Sequence, residues 1–283
     1  MGVTDCHVHI NPLGEMRPDA RRMLTHLDPA TAQYLEEPRR FLEYLDASGV
    51  ERAVLINYVA PEVIGYTEKA NDFVSRYAAA DPARLVAVGG IRPDHPDPER
   101  EIRRLARELR IRGLKLHPPH QGFRPDGYVT GDHPQLRRIY AACQEERLPV
   151  IFHTGTSVFP RARNRFSDPL FVEDVALDFP DLTIVLAHGG RPIWMTTAVF
   201  LARRCPNVWL EVSGVPPARL LEYFPHLARD AGKTLFGTDW PGPGVKDIRR
   251  NLEEFRALDL PTDARTQILE TNPRRVFPPG TPS

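Results

Sequence analysis

VTDCHVHI, residues 3–10, has the apolar, β-branched character of a buried strand, yet it places histidines at positions 7 and 9. Residues two apart on a strand share a face, so His7 and His9 are expected to point together, with Asp5 on that face and Cys6 and Val8 on the other. Seven further runs have the same strand character: RAVLINY (52–58), LVAVGGI (85–91), GLKLHP (113–118), PVIFHT (149–154), LTIVLAHGG (182–190), VWLEVS (208–213) and TLFGTDW (234–240). Between them lie segments with apolar residues at helical spacing, such as PRRFLEYLDASG, HPQLRRIYAACQEE, PARLLEYFPHLARD and VKDIRRNLEEFRAL. Apolar strands alternating with helices predict a parallel sheet covered on its outer face. Eight such units in roughly 250 residues fit a closed (β/α)₈ TIM barrel of the α/β class. An open doubly wound sheet is the alternative, but no GxGxxG or GxxxxGK follows the first strand. No composition break marks a second domain, so residues 1–278 are read as one barrel and 279–283 as a loose tail.

Composition excludes several function classes. The 283 residues are 41% hydrophobic and 26% charged, within ordinary globular usage. Lys plus Arg equals Asp plus Glu at 37 each, so no global field favours nucleic acid or an anionic membrane. Cys6, Cys143 and Cys205 are too few and too scattered for a disulfide framework or a CxxC site, which fits a reducing cytoplasm. The first residues read as the start of a structured segment rather than a signal peptide, and no run of about 18 apolar residues occurs. The expected setting is cytoplasmic, with a small molecule as partner and a homodimer as the default assembly.

The strand ends carry the chemistry. Lys115 and His117 close the fourth candidate strand, His153 the fifth, His188 the sixth and Asp239 the eighth. Barrel enzymes react at the carboxyl ends of their strands. A lone buried histidine is more often a hydrogen-bonded core residue than a ligand. Four neutral imidazoles and a carboxylate converging on one rim would be poorly satisfied as core, and they suit a divalent cation such as Zn²⁺. His26, His95, His120, His133 and His226 fall in loops or helices, where solvated or capping roles are expected.

In chain order, DCHVHI, GLKLHP, FHTG, AHGG, GTDWP and ETNPRRVF resemble the amidohydrolase superfamily, specifically its amidohydrolase-related (amidohydrolase 2) branch. That branch includes aminocarboxymuconate semialdehyde decarboxylase and related small-molecule decarboxylases and hydrolases. The resemblance runs from residue 4 to about 277 and implies one divalent metal, with zinc expected, held by His7, His9, His153 and Asp239. It implies acid–base work at His188 and Asp239 and a substrate-facing His117. A fourth-strand lysine such as Lys115 bridges two metals when carboxylated in binuclear relatives, but GLKLHP resembles the form of mononuclear members, so Lys115 is assigned to the substrate.

The expected reaction is hydrolysis of a C–N or C–O bond in a small, carboxylated molecule by metal-activated water. Metal-dependent decarboxylation is the alternative within enzymes, and a catalytically silent binding barrel is the alternative outside them. Arg165 and Arg191 are read as grips for an anionic substrate, while for Arg161 and Arg163 the solvated reading is the favoured one. Residues 117–134 exceed an ordinary barrel connection and are expected to overhang the site as a lid.

Overall fold

All eight expected strands form in the computed structural model, which describes residues 2–24 and 27–278. They are β1 Thr4–His9, β2 Arg52–Ile56, β3 Leu85–Val88, β4 Leu114–Leu116, β5 Val150–His153, β6 Ile184–Ala187, β7 Val208–Glu211 and β8 Thr234–Leu235. Every pairing is parallel, in the orders β1-β2-β3 and β4-β5-β6-β7-β8. Two seams join these sheets into a closed ring, through the bridges Val8–Trp240 and Gly89–Leu114. The barrel is therefore the (β/α)₈ architecture expected. His26 and the tail 279–283 lie outside the described residues.

A helix follows each strand: α1 Pro38–Ser48, α2 Lys69–Ala78, α3 Pro98–Arg103, α4 Gln135–Glu145, α5 Glu173–Asp178, α6 Met195–Arg204, α7 Leu220–Tyr223 and α8 Ile248–Arg256. The ends of α1 follow from composition. Pro38 sits in its first turn, and Gly49 closes it at φ 73° with Val50 N donating to Leu45 O. Helix α8 starts where the Asp247 carboxylate accepts from Arg250 N at 2.7 Å, and it buries Ile248, Leu252 and Phe255 against the barrel. The single helix expected over PARLLEYFPHLARD is instead three short turns. Pro225 lacks an N–H and pushes Phe224 out of the helical region, to φ −124° and ψ 71°.

Two apolar layers result. Leu55, Leu114, Phe152, Leu186 and Leu210 pack between sheet and helices, while Cys6, Val54, Ile56, Val88, Ile151, Val185 and Leu235 fill the barrel with Phe277. Cys6 is thus an interior residue, contrary to the simple alternation expected of β1. The cause is a one-residue bulge: Asp5 pairs with Ala53 but Val8 pairs with Leu55. The extra residue resets the parity of the strand, so Cys6 faces inward below the bulge and the two histidines face the site above it. Asp5 does not join the histidines. Its carboxylate accepts from Thr238 N, Thr238 Oγ1 and His7 N at 2.9, 2.7 and 3.1 Å, stitching β1 to the segment after β8.

Candidate active site

His7 and His9 leave the β1 bulge beside Asp239, and their donor atoms form a group lying within 4.8 Å of one another. His7 is fully buried. Its Nδ1 lies 2.8 Å from Glu211 Oε2, and its Nε2 has no hydrogen-bond partner among the described residues. A carboxylate on Nδ1 fixes the tautomer that leaves Nε2 as a lone pair. His9 is oriented similarly, with Nδ1 3.3 Å from Ile56 O and Nε2 3.1 Å from Asp239 Oδ1. Buried lone pairs aimed at one carboxylate are costly without a cation, so this donor set fits a divalent metal.

The backbone that presents these groups is locally unusual. Asp239 has φ 72° and His188 φ 65°, a region that L side chains rarely adopt. Regular pairing of β8 stops at Leu235, short of the strand expected to residue 240. Gly237 explains the close approach there, because a Cβ would lie 2.7 Å from both His7 Cβ and Glu211 Oε1.

Electrostatics favour ligand-competent states. Burial pushes His7, His117, His153 and His188 well below the usual histidine range, keeping them neutral. Burial would raise Asp239, but the neighbouring imidazoles and the Arg191 guanidinium outweigh it and hold the carboxyl at about 2. Lys115 Nζ is buried without a hydrogen-bond partner among the described residues, and burial lowers it to about 7 against the opposing pull of Glu211 and Asp239.

The strand ends open into a cavity of about 330 Å³. Its polar floor includes His9, Lys115, His117, His153, His188, Arg191 and Asp239, and its walls include Leu13, Met16, Leu35, Ile64, Phe159, Met195 and Val215. His188 Nδ1 lies 2.9 Å from Ser213 Oγ and 3.2 Å from Ser213 O, which holds the ring from the side. Arg191 donates from Nε to Gly214 O at 2.7 Å and from Nη2 to Asp239 Oδ2 at 3.3 Å, while Nη1 is buried without a partner among the described residues. His153 lies beside the donor group rather than within it. Its ring stacks on His117 at 3.9 Å and meets His188 at 4.6 Å, and its Nε2 has no hydrogen-bond partner among the described residues.

Several expected residues are placed elsewhere. Arg165 is exposed, absent from the cavity lining, and lies with its guanidinium 4.8 Å from the Phe166 ring centre. Arg161 pairs with Asp19 at 3.1 Å, and Arg163 is exposed. The segment 117–134 is not a lid: of it, only His117 lines the cavity, while Pro118, Pro119, Phe123 and Tyr128 are buried beside the barrel. His120, expected to be solvated, is buried and stacks on His117 at 3.6 Å. Glu211 was not singled out from the sequence. The signal was present, because an acid at the end of the apolar run VWLEVS occupies the same kind of position that marks His153.

The family model described as Amidohydrolase matches residues 4–278. The chain belongs to the amidohydrolase family. No curated protein matches it. Among solved structures it is similar to an uncharacterised TIM-barrel protein from Bordetella bronchiseptica, at 25% identity and TM-score 0.76 over 98% of each chain. It is also similar to 5-carboxyvanillate decarboxylase from Sphingomonas paucimobilis, at 18% identity and TM-score 0.71 over 99% of each chain. A third is a dihydroxybenzoic acid decarboxylase from Polaromonas with bound manganese, at 18% identity and TM-score 0.71 over 98% of this chain and 96% of that one. These structures share the fold described above, and no helix among the described residues is long and apolar enough to cross a membrane.

Proposed function

We propose that this amidohydrolase-family protein is a metal-dependent decarboxylase of a small carboxylated ring or enoate. The observation that carries the reading is Arg191. Its guanidinium is fixed by Gly214 and Asp239, its Nη1 is buried without a partner among the described residues, and it stands beside the His7–His9–Asp239 group in a cavity with largely apolar walls. A half-buried guanidinium whose Nη1 is buried and unused calls for an anionic oxygen. Arg191 holds the carboxylate in place, and the apolar walls suit the uncharged CO₂ that leaves. The bond from carbon to the carboxyl breaks, its electron pair stays on the ring or enoate carbon, and that carbon takes one proton.

In this reading His7, His9 and Asp239 hold one divalent ion, with His153 as the neighbouring donor, and Glu211 sets the His7 tautomer. The ion supplies Lewis-acid polarisation of a substrate oxygen. Imidazole and carboxylate donors suit zinc, and also manganese, which the Polaromonas relative carries. His188, neutral at rest, takes a proton from solvent and passes it to carbon, Arg191 orients the carboxylate, and Lys115 and His117 contact the substrate from β4. The similarity to two decarboxylases supports the choice.

Hydrolysis is the second reading, favoured by the family description and by a metal group able to activate water. Turnover in ¹⁸O water and in D₂O separates the two on a panel of lactones, amides and carboxylated aromatics. Decarboxylation releases CO₂ and leaves carbon-bound deuterium without ¹⁸O in the organic product. Incorporation of ¹⁸O without CO₂ release would replace it with hydrolysis.

A further inference from the structure

Beside the metal group, three residues that the proposed chemistry does not use form a continuous hydrogen-bonded chain. Tyr58 Oη lies 3.1 Å from His120 Nδ1, and His120 Nε2 lies 2.7 Å from Ser157 Oγ. Tyr58 and His120 are buried, Ser157 is half-buried, and both Tyr58 and Ser157 line the cavity. His120 is held in place by the His117 ring stacked at 3.6 Å and the Phe159 ring standing edge-on at 5.2 Å. Burial lowers it to about 3, so the ring carries one proton.

Counting protons fixes what this chain offers a ligand. Tyr58, His120 and Ser157 hold three hydrogens between them, and their two mutual bonds use two. With the ring proton on Nε2, His120 donates to Ser157, Tyr58 donates to Nδ1, and the Ser157 hydroxyl hydrogen is left over. With the proton on Nδ1, the directions reverse and the Tyr58 hydrogen is left over. In either state one of the two oxygens is a donor and the other an acceptor, never two donors together. Ser157 Oγ also accepts a long bond of 3.4 Å from Phe159 N, which its second lone pair accommodates in either state.

We infer that His120 is a positioning residue whose tautomer sets Tyr58 and Ser157 as a reversible donor–acceptor pair, which recognises uncharged polar groups of the substrate and discriminates against a second carboxylate. A carboxylate offers acceptors only, so one oxygen of the pair would face it lone pair to lone pair. The inference rests on the proposed function in placing the substrate's one carboxylate at Arg191, which leaves hydroxyl or carbonyl groups for this pair.

Nitrogen-15 NMR of His120 in the protein without ligand tests the relay independently of any substrate, because the protonated and bare ring nitrogens resonate far apart. An orphaned buried N–H costs more than an orphaned lone pair. Ser157→Ala should therefore place the ring proton on Nδ1, facing Tyr58, and Tyr58→Phe should place it on Nε2, facing Ser157. The same tautomer in both variants, or a doubly protonated ring, would overturn the relay. Binding of 3-hydroxybenzoate and of benzene-1,3-dicarboxylate by the metal-loaded protein tests the ligand class. The hydroxy acid should bind at least about tenfold more tightly, with the preference lost in the Ser157→Ala, Tyr58→Phe double variant. Equal affinities in the unmodified protein would overturn the discrimination. Failure of both probes to bind would contradict the carboxylated-ring reading instead, while the His120 shifts still decide the relay.

Discussion

The barrel has two seams, and they close in different ways. Between β3 and β4 the join is plain: Arg112 N donates to Ala87 O, Gly89 N to Gly113 O and Lys115 N to Gly89 O, at 2.8, 3.1 and 2.7 Å. Between β1 and β8 the main-chain bonds are as short, with Asp239 N to His7 O at 2.8 Å and His9 N to Trp240 O at 2.7 Å. Around them, however, lie a bulge, a buried aspartate and a residue of positive φ. The plain seam contributes Lys115 and, just past β4, His117, neither of them in the donor group, and the irregular seam contributes the whole His7–His9–Asp239 group. Irregular backbone here is what points three donors at one place, and its strain is tolerated because Asp5 and Glu211 fasten the segments on either side.

The largest effect expected at the irregular seam is on rate. His188 sits just beyond the donor group, so His188→Asn should lower turnover by about 10²–10⁴-fold with metal content unchanged. Loss of metal in step with activity would make His188 a ligand and enlarge the seam's contribution. A smaller effect is expected from Glu211→Gln. The amide cannot hold His7 Nδ1–H as the carboxylate does, and metal affinity, measured by competition with a chelator, should fall by about 10–100-fold. Unchanged affinity would show that the His7 tautomer is fixed by something else.

Stability then compares the seams directly. Asp5→Ala strands Thr238 N and His7 N, and should cost about 3 kcal/mol in denaturant unfolding along with metal affinity. At the plain seam, a Cβ on Gly89 would lie 2.8 Å from Asn71 Oδ1, so Gly89→Ala should cost about 1–2 kcal/mol and leave metal affinity intact. Equal loss of metal in both variants would end the distinction.

A pH dependence sharpens the comparison further. Burial raises Asp5 to about 7 in the folded chain, against about 3.9 when unfolded. The folded state therefore binds this proton more tightly. The contribution to stability is complete below about pH 4 and is lost as pH rises through 7. Asn does not titrate, so the Tm of Asp5→Asn, followed in chelator, should change less than that of the unmodified protein over this window.

The same contrast explains what was legible in the sequence. Strand count, closure and the histidines at strand ends follow from period and position, which the residues state openly. The facing of Cys6 and Asp5 did not, because a bulge shifts parity by one and VTDCHVHI contains no glycine or proline to mark it. Glu211 was hidden for a different reason: one acid in an apolar strand is ambiguous until the fold brings His7 against it. Arg165 and His120 exchanged their expected roles, since loop residues take their exposure from tertiary packing rather than from local pattern.

The central claim is that the β1–β8 seam holds the metal. Elemental analysis of protein purified without chelators tests it, on the unmodified chain, the His7→Ala, His9→Ala variant and a Lys115→Met variant at the plain seam. About one equivalent of a divalent transition metal is expected in the first, almost none in the second and about one in the third. Full metal content in the His7→Ala, His9→Ala variant, with loss in Lys115→Met, would contradict it.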